Sequence, residues 1–207
     1  VRKAADVVQV FPFGSKRKGM GVAVKTDTGV RLYVKGASEI LLDSSTRLVS
    51  VSLSKASASQ SIEVTSMNEK CRQHLNDTIT NYASQSLRTL GLCYRDFEVW
   101  PPPGIQTNDL GETAYEDVAK DLTFLGLAAI EDPLRRGVTE AVRACGKAGV
   151  NVKMCTGDNI LTASSIGKQS GIYRPGGVAI EGPVFRQLSH ADLVELAPHL
   201  HILARSS

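Results

Sequence analysis

The chain has 207 residues, 42 % of them hydrophobic and 22 % charged, with a formal net charge of +3. That length can bury a substantial core in one large or two small domains. The mild charge and the 5 % aromatic content argue against a nucleic-acid surface, which needs a broad basic stripe with stacking rings.

No apolar run approaches the roughly 20 residues that span a bilayer. The chain opens Val1-Arg2-Lys3 with no initiator methionine, so it reads as a piece of a longer protein. Val7–Phe13 has the character of a strand, followed by a basic turn, Gly14–Met20. Gly21–Thr26 and Val30–Lys35 alternate apolar and polar residues around Asp27-Thr28-Gly29, the pattern of an antiparallel hairpin. The D-T-G triplet is a turn at the hairpin tip; it has no second copy, as an aspartic protease would need. Gly19-Met20-Gly21 begins like a nucleotide glycine loop, but the third glycine is missing and a strand follows. Ser38 can cap a short helix over Glu39–Asp43.

Val51–Thr65 is rich in Ser and Ala and is expected as an exposed loop or edge connection. Ser66-Met67-Asn68-Glu69 has the form of a capping box. Behind it Cys71, Leu75, Ile79, Tyr82, Ala83 and Leu87 keep a helical period. Arg88–Arg95 reads as a strand, Pro101–Gly111 as a surface loop, Ala114–Lys120 as a short helix and Leu122–Ile130 as a long apolar strand. Beyond Asp132-Pro133 the elements alternate. A helix is expected at Gly137–Ala148, a strand at Val150–Cys155 and a helix at Asn159–Ser170. A strand near Val178–Ile180, a helical stretch over Phe185–Leu196 and a strand at His201–Leu203 follow. Alternation of this kind indicates a parallel sheet.

Cys71, Cys93, Cys145 and Cys155 form no C-x-x-C pair and read as reduced, packed thiols of a cytosolic protein. His199-x-His201 has metal-gripping spacing but lacks further ligands, so no metal site is assigned.

The stretch Val150–Gly171 holds the strongest local signal. An apolar strand runs into Thr156-Gly157-Asp158 and then a helix capped by Asn159. Turns of this type at the carboxyl end of a parallel sheet bind phosphate, although plain connectors share the pattern. With Asp132-Pro133-Leu134-Arg135, the M-C-T-G-D-N-I-L-T-A segment resembles the hinge and phosphate-site segments of the P-type cation-transporting ATPases. The resemblance is greatest to the calmodulin-regulated calcium pumps, those of fungi above all. It covers the chain from about Val7 to Ser207.

The resemblance implies an α/β chain. Residues 1–131 would form an α+β nucleotide-binding domain with an antiparallel sheet, and residues 132–207 part of a dehalogenase-like parallel α/β phosphorylation domain. Phe13 and Lys18 in F-G-S-K-R-K-G-M resemble the adenine-stacking ring and ATP-site lysine of that family. Read locally, a ring beside a basic turn offers a π-face and a cation, while a core Phe and a solvated turn are the plainer reading. Lys35 and Gly36 in K-G-A-S-E resemble the element lining the same pocket, with Gly36 clearing space for a ligand; an edge lysine and a strand-ending glycine are the plain alternative. Arg88 resembles the arginine that meets the ATP phosphates, as its bidentate fork suits. A surface arginine at a helix end is the bland reading. Asp132 and Arg135 resemble the interdomain hinge, a charged pair beside a proline. Thr156, Gly157 and Asp158 resemble the segment that contacts the transferred phosphoryl group, and capping is the competing role for Asp158.

The family's phosphorylated D-K-T-G-T and its later G-D-G-x-N-D magnesium segment do not occur in this sequence. The resemblance therefore implies that the chain holds ATP, with Mg²⁺, for transfer to an aspartate outside it and is inactive alone. The implied partners are the actuator and transmembrane parts of a parent pump, with calmodulin a partner of that parent. The implied location is the cytosolic face of a vacuolar or plasma membrane. Two other readings compete: a nucleotide-free interaction module of the same fold, and a dehalogenase-type phosphatase, which lacks its D-x-D-x-T nucleophile here.

Overall fold

Alternation of small and large residues decides which strand faces turn inward. In the computed structural model, described over residues 5–53 and 60–206, β1 (Val7–Gly14), β2 (Gly19–Thr26) and β3 (Gly29–Ala37) pair antiparallel. Gly19, Gly21 and Ala23 of β2 are buried beside Leu32, Val34 and Gly36 of β3, so two strands press one face onto the core. The segment Val1-Arg2-Lys3, the middle of the Ser-rich stretch and Ser207 lie outside the described residues.

The chain divides into two compact units, Val1–Asp77 with Thr89–Ala128, and Thr78–Arg88 with Ala129–Ser207. Four more strands complete the large sheet: β4 (Ser45–Leu53), β5 (Gln60–Ser66), β6 (Arg88–Phe97) and β7 (Leu122–Ile130). Its order is β1-β2-β3-β6-β7-β4-β5. All recorded pairings are antiparallel except β4 with β7, which run parallel. This is the expected mixed α/β content with a large, mostly antiparallel sheet. The helices are α1 (Ser38–Asp43), α2 (Glu69–Ser84) and α3 (Tyr115–Val118). The core of the first unit holds Phe11, Leu32, Leu41, Leu42, Cys93, Leu122 and Phe124, each buried.

Three local expectations change in this unit. The described ends of the Val51–Thr65 stretch are strand, Val51–Leu53 in β4 and Gln60–Thr65 in β5 at the sheet edge, with the pair in register from Arg47↔Ser66 to Leu53↔Gln60; the middle of the expected loop or edge connection lies outside the described residues. Alternating Val and Ile outweigh the serines that suggested irregular chain. Ser66 ends β5 and does not cap α2; the cap is Asn68, whose Oδ1 accepts from the Cys71 amide at 2.8 Å. The short helix spans only Tyr115–Val118, where buried Tyr115 packs edge-on against Phe11 at 5.8 Å between ring centres.

The second unit contains α4 (Val138–Lys147), β8 (Met154–Cys155), α5 (Ile160–Ser170), β9 (Val178–Glu181), α6 (Gly182–Phe185), α7 (His190–Leu196) and β10 (Leu200–Ala204). Its sheet, β8-β10-β9, is parallel, as the alternation indicated. Ala163, Ile202 and Ala204 form its buried cluster, with Met154, Ile160, Tyr173 and Ala179 packed around them. Asn159 caps α5 as expected, accepting from the Thr162 amide at 2.9 Å.

The strand expected over Val150–Cys155 shortens to Met154–Cys155, because only those residues meet β10. Lys153 just before it spends its ammonium on the Ala197 and Leu200 carbonyls. The helical stretch Phe185–Leu196 breaks in two, since Ser189 starts α7 with a capping box completed by Asp192. All four cysteines are free, but only Cys93 is fully packed and Cys155 is exposed. No helix among the described residues is long and apolar enough to cross a membrane.

Candidate functional site

In the first unit the candidate site lies on the sheet face turned away from the core. Register places Met20 opposite Lys35, and Lys35 opposite Leu92. Val22 likewise stands opposite Tyr33. These side chains project to one side together because strand neighbours in register share a face. With Leu125 they line a cavity of about 340 Å³, a size usual for small-molecule sites. Tyr33 is 45 % exposed, Leu92 39 % and Leu125 42 %. An apolar floor left open to water in this way marks a binding surface more often than a packing accident. Lys35, exposed on β3, is the one cation among its lining residues.

Phe13 and Lys18 are not in the lining of this cavity. Phe13 lies in the irregular end of β1, between Phe11 and Gly14, and is 63 % exposed. It is therefore not a core phenylalanine. Lys18 sits at φ 50° in the turn, its amide bonded to the Gly14 carbonyl at 2.8 Å and its carbonyl to the Ala37 amide at 2.9 Å. Gly36 has a different reason to be glycine from the one its motif suggests. A Cβ there would stand 2.6 Å from the Lys18 carbonyl oxygen and 2.8 Å from the Gly19 Cα. What approaches Gly36 is the chain's own turn, and the close approach seats Lys35 beside it.

Arg17, which the motif reading passed over, holds this turn. Its guanidinium donates to the Pro12 carbonyl and, at 3.3 Å, to the Gly19 carbonyl. It lies 4.3 Å over the Tyr115 ring and 3.7 Å from a Glu116 carboxylate oxygen. Burial pushes the Tyr115 phenol above its ordinary range, and the adjacent Arg17 charge works in the opposite direction.

The second unit gathers Arg88, Asp132, Thr156, Gly157 and Asp158. Arg88 Nη1 donates to Asp132 Oδ2 at 2.5 Å and Nη2 to Asp158 Oδ2 at 3.2 Å. Arg88 is thus not a free surface arginine: one guanidinium spans two carboxylates. Asp132 pairs with Arg88 and not with Arg135, which is exposed and takes no part in the cluster. Thr156 Oγ1 donates to Asp158 Oδ2 at 3.1 Å and accepts from the Asp158 amide at 3.1 Å, an internal clasp of the T-G-D turn.

The strand end next door fixes that turn. Arg205 Nη1 donates to the Gly157 carbonyl at 3.1 Å, the Arg205 amide to the Asp158 carbonyl at 3.0 Å, and the Ser206 amide to the Thr156 carbonyl at 3.1 Å. Burial draws the Arg205 guanidinium below its ordinary range. Arg205 and Ser206 could not be picked from sequence, because nothing local ties the end of β10 to residues some 50 positions earlier. The segment before Arg88 is tied to α5 by Ser86 with Ser165 at 2.6 Å and by Gln169 to Ser86 at 2.6 Å. Among the described residues no group of three or more His, Cys, Asp or Glu could hold a metal ion.

Comparison with known proteins agrees with the motifs. The family model described as P-type ATPase, cytoplasmic domain N matches residues 1–137. Over its whole length the chain is 53 % identical to Calcium-transporting ATPase 2 of Cryptococcus neoformans and 41 % identical to Calcium-transporting ATPase 2 of Schizosaccharomyces pombe, covering 15 % and 16 % of those proteins. It is 40 % identical, again over its whole length, to a plasma membrane-type Calcium-transporting ATPase 2 of Arabidopsis thaliana, of which it covers 19 %. The chain thus spans less than a fifth of each relative's length. With the D-P-L-R and T-G-D-N segments standing where those matches run, the chain belongs to the P-type ATPase family.

Proposed function

We propose that this chain is the ATP-holding region of a calcium-transporting P-type ATPase, presenting nucleotide for phosphoryl transfer to an aspartate outside it. The observation that carries this reading is Lys35 set at the rim of an open apolar cavity floored by Met20, Tyr33, Leu92 and Leu125. A purine needs a flat apolar contact, and the phosphates that follow it need a cation. Both are met on one sheet face. In this reading Phe13, exposed beside the basic turn, supplies an additional ring, and Lys18 a second ammonium.

The second unit contributes positioning groups. Arg88 is a bidentate donor already satisfied by Asp132 and Asp158, so phosphate oxygens reaching it exchange one anionic partner for another. Thr156 and the Gly157 amide receive the phosphoryl group, the Thr156 and Asp158 amides being engaged with the Leu203 carbonyl and Thr156 Oγ1, and Asp158 stands near the nucleotide. Mg²⁺ would accompany the nucleotide phosphates and offset their charge, while Asp132 and Asp158 are engaged with Arg88 and Thr156. Asp132-Pro133 and Arg135 act as the link between the two regions. The actuator and transmembrane parts, calmodulin, and a plasma or vacuolar membrane belong to the parent in the same reading.

Titration of the ¹⁵N-labelled chain with ATP tests it. Amide shifts are expected to cluster at Met20, Tyr33, Lys35 and Leu92, and Lys35→Ala weakens binding about tenfold, as loss of one exposed charge-assisted contact should. Absence of localised shifts at millimolar ATP would favour the nucleotide-free module and overturn the proposal.

A further inference from the structure

We propose that the cavity between α4 and the end of α5 is an anion site for a polyphosphorylated small molecule, separate from the groups assigned to ATP above. Thr139, Arg143 and Lys147 follow one another at intervals of four on α4, which stacks them along one face of the helix. Facing them are Ser170, Gly171 and Arg174, at and just beyond the end of α5. Together with Val142 and Gly146 they enclose about 390 Å³.

The charge arrangement is what makes this cavity unusual. Three cationic side chains and no carboxylate line it, and none of the three makes an ion pair among the described residues. Arg88, in the same unit, is by contrast answered by two acids, Asp132 and Asp158. Like charges at i and i+4, the spacing of Arg143 and Lys147, oppose helix formation. The helix dipole accounts for a cation in the last turn, where Lys147 stands. It does not account for Arg143 or for Arg174, which lies outside any helix. An anion held between the three removes the repulsion.

The shape narrows the ligand. Guanidinium forks, an ammonium and the Thr139 hydroxyl are donors that match phosphoryl oxygens, while the Ser170 hydroxyl already donates to the Gly167 carbonyl at 3.1 Å. The volume would hold roughly a dozen waters at about 30 Å³ each, more than a single phosphate fills. A compound with two or more phosphoryl groups fits better, whether a nucleotide's phosphate chain or an inositol phosphate. No aromatic ring lines the cavity, so recognition rests on the phosphates.

The test uses the 207-residue chain with sodium tripolyphosphate and inositol trisphosphate as probes, followed by amide shifts and calorimetry. Shifts are expected at Thr139, Ser170, Gly171 and Arg174. The double variant Arg143→Gln/Lys147→Gln is expected to bind at least tenfold more weakly than the parent chain, since two charge-assisted contacts go. A charge-matched control, Lys25→Gln/Lys70→Gln, removes two exposed lysines that do not line the cavity and should change affinity less than about twofold. Lys35→Ala should leave these shifts in place, which separates this site from the ATP reading. The tighter probe names the source of the phosphates. Equal loss in both double variants, or shifts that appear only around Lys35, would overturn the proposal. All five substituted residues are exposed, so unchanged melting curves confirm that binding alone is being read.

Discussion

Replacing Gly36 by alanine probes the packing that seats Lys35. A Cβ at this position meets backbone on the neighbouring turn, at 2.6 Å from the Lys18 oxygen, 2.8 Å from the Gly19 Cα and 3.3 Å from the Lys18 carbonyl carbon, against ordinary contacts that begin at 3.4 Å. No side-chain rotation relieves that overlap. The turn must move away from β3, and the 2.9 Å bond from the Ala37 amide to the Lys18 carbonyl lengthens with it. Overpacking of this kind costs about 1–3 kcal/mol, and for a chain of this size each kcal/mol lowers Tm by about 2–4 °C. Gly146→Ala is the matched comparison: it sits in α4 with nothing within 4 Å of the added carbon, so it should raise stability by about 0.5–1 kcal/mol through helix propensity. Differential scanning calorimetry of both variants, with an ATP titration of Gly36→Ala, reads the outcome. If Gly36→Ala melts with the parent chain and binds ATP equally well, the turn and Lys35 are not locked together.

Cys155, exposed, should react with a thiol reagent at pH 8 well before Cys93, which is buried and whose thiol burial pushes up to about 11. Mass spectrometry after partial labelling gives the order, and early modification of Cys93 in the folded chain would contradict it. The same shift has a stability sign: a thiol whose folded pKa is raised contributes fully below its unfolded value of about 8.5, and that contribution disappears as pH climbs towards the folded value. Alkaline unfolding should accordingly be milder in Cys93→Ser at high pH than at neutral pH, relative to the parent. Arg72→Lys should destabilise by about 1–3 kcal/mol despite keeping its charge, because Arg72 donates to two carbonyls at once, Leu42 at 2.6 Å and Ser45 at 2.8 Å. Urea unfolding with no change in midpoint would refute this.

Elements with a clean period were readable in the sequence. The hairpin about Asp27-Thr28, the long strand Leu122–Ile130 and the helix capped by Asn159 all carry their own signals, and they form where the pattern points. Segments whose structure depends on distant partners were not readable. The two described ends of the Ser-rich stretch pair with each other in β4 and β5, and β4 is anchored to β7 through Ser45–Leu48, ahead of that stretch, so nothing within the stretch reveals its partner. The site divides in the same way. Lys35 and the T-G-D turn were singled out by the motifs they share with the family, and their roles remain part of the proposal. The floor under Lys35 comes from Met20, Tyr33, Leu92 and Leu125, four unremarkable apolar residues on four strands, which only the register of the sheet brings side by side. Asp132 as a partner of Arg88, 44 positions away, is likewise a product of folding and not of spacing.

The clamp made by Arg17 has a thermodynamic consequence for whatever meets the turn. A backbone free in solution gives up about 1–2 kcal/mol per residue when a ligand fixes it. Here one guanidinium ties Pro12 and Gly19 together across the bend and rests on Tyr115, so that ordering is completed during folding. A visitor arriving between Phe13 and Lys18 meets a frame already at rest, and the attraction it finds there is kept almost whole.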